Sequence, residues 1–276
     1  TELVPAESGN LRRLAELAAA AGNDAEAATW YRRTLALEPE NRALLNEAAY
    51  VVVRAGDLAE ARRLLERSLE LAPADPNPLD SLGDVHFYAG EFEKAESYYL
   101  QCSEKSPQFL NGRPLAKAAY SRLMRGDRNG GQQIFDRYQA VLARLSDPLS
   151  RLRAAQWRYA TGDRAAINQL DGAAQAGEGG INPAAATYEA AQLSLWLTAE
   201  GDRARAKRAA EAASASAGDL VSRRIALLAR YLALDSGPVA LWQQRADAAF
   251  PGEAQKSVRD LALSYALVME GHFREA

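Results

Sequence analysis

The chain carries one cysteine, Cys102, and two histidines, His86 and His272, in 276 residues. A single cysteine excludes an internal disulfide framework and any multi-cysteine zinc site. Two histidines leave little for a histidine-based metal site or relay, and no metal or other cofactor is expected. Charge of one sign is not in excess either: 33 Lys and Arg stand against 36 Asp and Glu, a net charge of -3. That balance argues against a protein built to neutralise nucleic-acid phosphate. No apolar run approaches the roughly 18–20 residues that span a bilayer, so no membrane span is expected. No signal peptide is visible, because Thr1 to Pro5 lack a basic start followed by an apolar stretch. The lone cysteine fits the cytoplasm and the periplasm equally, and localisation stays open. At 48% hydrophobic and 25% charged, the composition is that of an ordered protein.

What the chain does have is self-similarity. Gly22, Gly56, Gly90, Gly126, Gly162, Gly201, Gly237 and Gly271 are spaced by 34, 34, 36, 36, 39, 36 and 34 residues. Most are followed by Asp, Asn or Glu. A glycine at a helix C-terminus adopts the left-handed conformation without strain, and an Asp or Asn after it caps the next helix. Each period therefore reads helix, tight turn, helix. Five residues after the glycine come Ala27, Ala61, Ala95 and Ala206, small enough for two helices to approach closely. Nine after it come Tyr31, Leu65, Tyr99 and Phe135, expected to fill the core. Pro39, Pro73 and Pro107 stop the second helix of the first three pairs. Such a pair cannot bury its apolar face alone, and stacked pairs share one continuous core.

Chemistry-bearing residues do not assemble into a site. Cys102 and His86 both fall on packing positions. Arg128–Gly131 lacks the Gly-Lys-Ser/Thr ending of a phosphate loop. Arg125-Gly126-Asp127 is one more repeat turn, and Glu93 and Glu96 read as carboxylates on one solvated helix face. No triad, metal box or paired-acid site is present, so the chain is expected not to be an enzyme.

The pattern resembles the tetratricopeptide repeat family, of the bacterial scaffold type. In the third repeat Leu79, Leu82, Gly83, Gly90, Phe92, Ala95, Tyr99 and Pro107 fall on its signature positions. The first three repeats match well and the fourth moderately. The fifth to seventh depart, with Arg151, Asp171 and Arg230 where the family prefers apolar or small residues. The resemblance implies an all-α, right-handed α-solenoid of about seven and a half helix pairs. It forms a single domain over residues 8–276, with better-matching repeats over 8–147, degenerate ones over 148–276, and a short extension at 1–7. Two segments interrupt the period. Ser106 to Arg113 lengthens one turn, and Gln175 to Pro183 reads as a glycine-rich surface loop or a hinge. Gly271–Ala276 reads as the opening of a further second helix, so the parent protein is expected to continue past Ala276.

The resemblance also implies a partner groove, since in this family the first helix of each pair lines the concave face. Positions ten, six and three before each glycine then face inward. They supply Asn46, Tyr50, Asp80, Asp84, Phe87, Tyr120 and Tyr159, with Arg113 and Lys117 adding positive charge. An aromatic-rich wall suits recognition. The wall is expected to be acidic toward one end and basic in the middle. The family's clamp for a chaperone's terminal carboxylate is incomplete, because Ser81 stands where an Asn is needed, and that partner is not carried over. From the fifth repeat the inward positions turn aliphatic: Leu152, Leu195, Leu227, Leu234, Leu261 and Val268. These point to a cover or to self-association through the C-terminal half. The expected function is a non-catalytic scaffold holding a peptide segment or a protein in its groove. The alternative is an accessory domain of a larger envelope, polysaccharide-export or glycosyltransferase assembly.

Overall fold

Segments of 11 to 18 residues become helices throughout the described residues, most of them amphipathic. The computed structural model describes residues 3–176, 183–252, 255–272 and 274–275. These contain fifteen α-helices and no strand. The chain is an all-α helical-repeat solenoid, divided into two compact units, Thr1–Asp147 and Pro148–Ala276.

The first unit holds α1 (Leu3–Ala20), α2 (Asp24–Leu37), α3 (Arg42–Arg54), α4 (Leu58–Leu71), α5 (Asn77–Tyr88), α6 (Phe92–Lys105), α7 (Arg113–Met124) and α8 (Arg128–Leu145). They pack as hairpins α1/α2, α3/α4, α5/α6 and α7/α8, and each hairpin packs on the next. The core between them is built from Leu44, Leu45, Ala48, Val52, Ala61, Leu65, Leu82 and Val85. Leu14 of α1 is 42% exposed, and Ala15 takes the inward place in that helix.

The second unit holds α9 (Ser150–Ala160), α10 (Ala166–Ala176), α11 (Pro183–Ala199), α12 (Arg203–Ser216), α13 (Leu220–Leu232), α14 (Val239–Ala249) and α15 (Lys256–Met269). Its core is alanine-rich around α11 and α12 (Ala190, Ala191, Ala206, Ala209, Ala210, Ala213), with Leu193 and Leu197. An aromatic cluster of Tyr231, Trp242 and Phe250 closes over Ala262, Ala266 and Leu267. The Tyr231 hydroxyl donates to the Trp242 carbonyl at 3.1 Å. The expected loop at Gln175–Pro183 lies largely outside the described residues.

The repeat turn is the same local structure each time. At Gly56 φ is +93°. Its N–H donates to the Val53 carbonyl at 2.9 Å, and the Asp57 N–H donates to the Val52 carbonyl at 3.0 Å. This pair of bonds satisfies two carbonyls at the helix end and requires a left-handed residue between them. It recurs at Gly22, Gly90, Gly126, Gly162, Gly201 and Gly271. Asn23, Asp57, Asp127 and Asp202 then cap the following helix by accepting from a backbone N–H three residues on. Gly237 is the exception. Helix α13 has already ended at Leu232, and Gly237 lies just before α14 with no left-handed backbone. Its place in the period is a coincidence of spacing. The lengthened third turn contains a 3-10 segment at Phe109–Gly112, with Leu110, Asn111 and Gly112 all left-handed.

Gly83 is needed for a different reason. It is helical, in α5, and a Cβ there would stand 2.4–2.9 Å from ring atoms of Tyr99 on α6. At Gly56 an added Cβ meets nothing within 4 Å, so strain there is purely backbone. Gly56→Ala is therefore expected to cost about 1 kcal/mol. Gly83→Ala should reach the upper end of the roughly 1–3 kcal/mol typical of overpacking. Urea midpoints of the two variants check the order, and equal shifts would contradict it.

Candidate functional site

Residues one repeat apart occupy equivalent places on neighbouring first helices, so their side chains meet. Tyr50 on α3 and Asp84 on α5 are 34 positions apart, and the Tyr50 hydroxyl donates to Oδ2 of Asp84 at 2.8 Å. Ser81 donates to Oδ1 of Asn46 at 2.8 Å. Lys117 on α7 reaches back to α5, with Nζ 2.8 Å from Oδ2 of Asp80 and 2.8 and 3.0 Å from the two Asp84 oxygens. Tyr99 on α6 donates to Oδ1 of Asp84 at 2.7 Å. Both Asp84 oxygens thus accept two bonds each, and all three Lys117 protons are used. No protein group donates to Oδ1 of Asp80, although the side chain is 5% exposed.

The electrostatics follow from burial. Desolvation raises the Asp80 carboxyl above the usual aspartate range, against the pull of Lys117. Burial alone would lower Lys117, but the Asp84 and Asp80 carboxylates outweigh it and hold the ammonium above its ordinary value. Burial, reinforced by Asp84, raises the hydroxyls of Tyr50 and Tyr99.

Above this polar floor is a pocket of about 270 Å³ lined by Asp84, Phe87, Tyr88, Tyr99, Lys117 and Tyr120. Phe87 is fixed edge-on against Phe92, with ring centroids 5.2 Å apart. Tyr88 is 64% exposed and stands at the rim. Lys117 lies 5.3 Å from the centroid of the Tyr99 ring. The pocket belongs wholly to the first unit.

The sequence-selected residues divide as follows. Asp84, Phe87, Lys117 and Tyr120 line the pocket. Asn46, Tyr50 and Asp80 belong to the network that holds Asp84 and Lys117 in place. Arg113 is exposed one turn before Lys117. Tyr159 lies in the second unit, stacked on Trp196 at 4.4 Å, with its hydroxyl donating to Glu200. Tyr88 and Tyr99 were not selected: Tyr99 sits on a core position, and Tyr88 falls between the inward-facing phases.

Several charges are paired across repeats, Glu96 among them although it was expected to be solvated. Glu96 is buried against Arg122 and Arg125, and Glu47 binds Arg12. In the second unit Arg151 pairs with Glu189 and Arg205 with Asp171, which accounts for two of the charges at apolar family positions. His86 is packed as expected, with Nδ1 2.8 Å from Glu91 and its ring stacked on Tyr98. Cys102 is fully buried, and burial pushes its thiol up to about 12, far from a thiolate nucleophile. No group of three or more His, Cys, Asp or Glu suited to a metal occurs among the described residues. No helix among them is long and apolar enough to cross a membrane.

Tetratricopeptide repeat models match residues 11–43 and 39–108, so this stretch of the chain carries tetratricopeptide repeats. No curated protein matches the chain. Among solved structures, a tetratricopeptide repeat protein from Parabacteroides merdae is 18% identical over 94% of this chain and 98% of its own, with a TM-score of 0.48. The Pseudomonas aeruginosa pilF protein is 16% identical over 80% of this chain and 96% of its own, with a TM-score of 0.49. A thermophilic repeat protein of Thermus thermophilus is 17% identical over 60% and 89%, with a TM-score of 0.47. These likenesses concern the fold alone. Proteins of this family are generally non-catalytic interaction scaffolds.

The network makes two predictions. Lys117→Met leaves two carboxylates facing each other without a cation and should cost about 3 kcal/mol; adding Asp80→Asn should recover part of it. A free-standing loss in both would contradict the pairing. Secondly, folded Tyr50 and Tyr99 keep protons that the unfolded chain gives up near pH 10.0. Lys117 likewise keeps a proton lost near 10.5 on unfolding. All three contribute stability that is complete below these values and lost as pH rises above them. The urea midpoint should fall between about pH 9 and about pH 11, and fall less steeply in Tyr50→Phe/Tyr99→Phe. Equal slopes would show that the hydroxyls are not linked to folding.

Proposed function

We propose that the chain is a non-catalytic scaffold that binds a peptide segment of a partner protein on the face formed by α3, α5 and α7. One observation carries this reading: three aromatic rings, Phe87, Tyr88 and Tyr120, surround a pocket whose floor is a polar network in which the Asp84 oxygens and the Lys117 ammonium are all engaged. A rigid floor with aromatic walls is the arrangement of an interface anchor site, where a few residues supply most of the affinity. Tyrosine gives contact area at little conformational cost. The floor has no spare donor for an anion, which agrees with the incomplete carboxylate clamp.

A photo-crosslinking residue at Tyr88, compared with one at exposed Gln101 on α6, tests this in lysate of the native source. Adducts at position 88 and not at 101 are expected. Tyr120→Ala should weaken capture by ~2 kcal/mol, about thirtyfold, with the helical circular-dichroism signal unchanged. Equal adducts at both positions, or capture indifferent to Tyr120, would contradict the proposal.

A further inference from the structure

The charge beneath the pocket is unbalanced. Two aspartates, Asp80 and Asp84, face a single ammonium, Lys117. Asp80 is nearly inaccessible and keeps one carboxyl oxygen without a donor. Around the opening stand Phe87, Tyr88 and Tyr120, with Tyr99 at the base. The faces of such rings carry the negative end of the aromatic quadrupole and attract cations. The fold already uses this attraction once, in the approach of Lys117 to the Tyr99 ring. Carboxylates and ring faces thus act with the same sign on whatever enters. Arg113, one turn before Lys117 on α7, also acts on Asp80. It is exposed, and its influence on Asp80 ranks last among the causes acting there, as expected of a charge screened by solvent. Arg122, further along α7, and Arg125 just after it are taken up by Glu96.

We infer that the pocket between α5 and α7 takes a basic side chain, an arginine of the bound peptide segment, laid against the rings of Phe87, Tyr88 and Tyr120 over Asp84. This rests on the peptide-binding reading above and names the chemistry of its anchor. Arginine suits the site on three counts. Its methylene stem covers apolar ring surface. Its guanidinium is weakly hydrated and stacks on aromatic faces. Its charge offsets the surplus carboxylate beneath. An acidic anchor would meet the same field with the opposite sign and would find the Lys117 protons already engaged. A plain aliphatic anchor would fill the cavity but leave the charge uncompensated.

The test is selection of random dodecapeptides on the full chain, in parallel with Tyr88→Ala/Tyr120→Ala. Selected peptides are then resynthesised with the anchor changed. We expect enrichment of sequences sharing one arginine, lost on the double variant. For the best peptide, Arg→Leu should weaken binding several-fold, Arg→Glu more than tenfold, and Arg113→Glu in the protein should strengthen it. Tyr88→Ala alone, at an exposed position, keeps the test valid should the double variant unfold. Pocket-dependent peptides anchored by an aliphatic, aromatic or acidic residue would overturn this inference and leave peptide binding standing. Enriched peptides indifferent to Tyr88 and Tyr120 would overturn both.

Discussion

Inside the first unit the single ammonium of Lys117 is set against the carboxylates of Asp80 and Asp84, and the arrangement of the neighbouring helices depends on it. Its stem leaves α7, its ammonium binds Asp80 and Asp84 on α5, and Asp84 in turn accepts Tyr50 from α3 and Tyr99 from α6. Apolar packing between helix pairs is non-directional and tolerates sliding. A network whose donors and acceptors are nearly all matched tolerates little, because each mismatch strands a buried polar group. The network therefore fixes how α3, α5 and α7 present their outer residues. The floor of the aromatic pocket, Asp84, Lys117 and Tyr99, is held in place by these bonds.

The same spacing logic runs through both units. First-helix residues one repeat apart form ion pairs, Arg12 with Glu47 in the first unit and Arg151 with Glu189 in the second. Second helices join in at a shorter separation, as in Arg32 with Glu60, and Lys207 of α12 reaches Asp235 in the turn after α13. Exposed pairs of this kind add little stability singly. Glu96 and Asp80 are different, because they are buried and losing their partners would leave an uncompensated charge. In the second unit, alanine replaces the larger core residues around α11 and α12, and charged pairs stand at positions the family usually fills with apolar side chains.

Much of the fold was legible because its signal is local. Seven of the eight phase glycines have the left-handed backbone that a two-bond helix stop demands, and Pro39, Pro73 and Pro107 each follow a helix that ends two residues earlier. Gly237 shows the limit of that reading: spacing alone cannot tell a turn glycine from one that happens to fall in phase. The candidate site was legible in part. Asp84, Phe87 and Tyr120 were marked by helical phase and Lys117 by its charge four residues after Arg113, but their pairing was not, because charge was read along each helix and not across the repeat. The separations of 33, 34 and 37 residues in the Lys117 and Tyr50 contacts were available as a signal. Tyr99 escaped notice because one ring serves two purposes, packing on Gly83 and closing the base of the pocket. Tyr88 escaped because an exposed ring just before a turn has no periodic mark.

The central claim is that the aromatic pocket on the Lys117 network is where a partner is held. A crystal structure of the full chain with a selected arginine-containing peptide tests it most directly. We expect the guanidinium against Phe87, Tyr88 and Tyr120, with the Lys117 bonds to Asp80 and Asp84 unchanged beneath it. A peptide seated on the second unit, or on the outer faces of α4 and α6 with the pocket untouched, would contradict it.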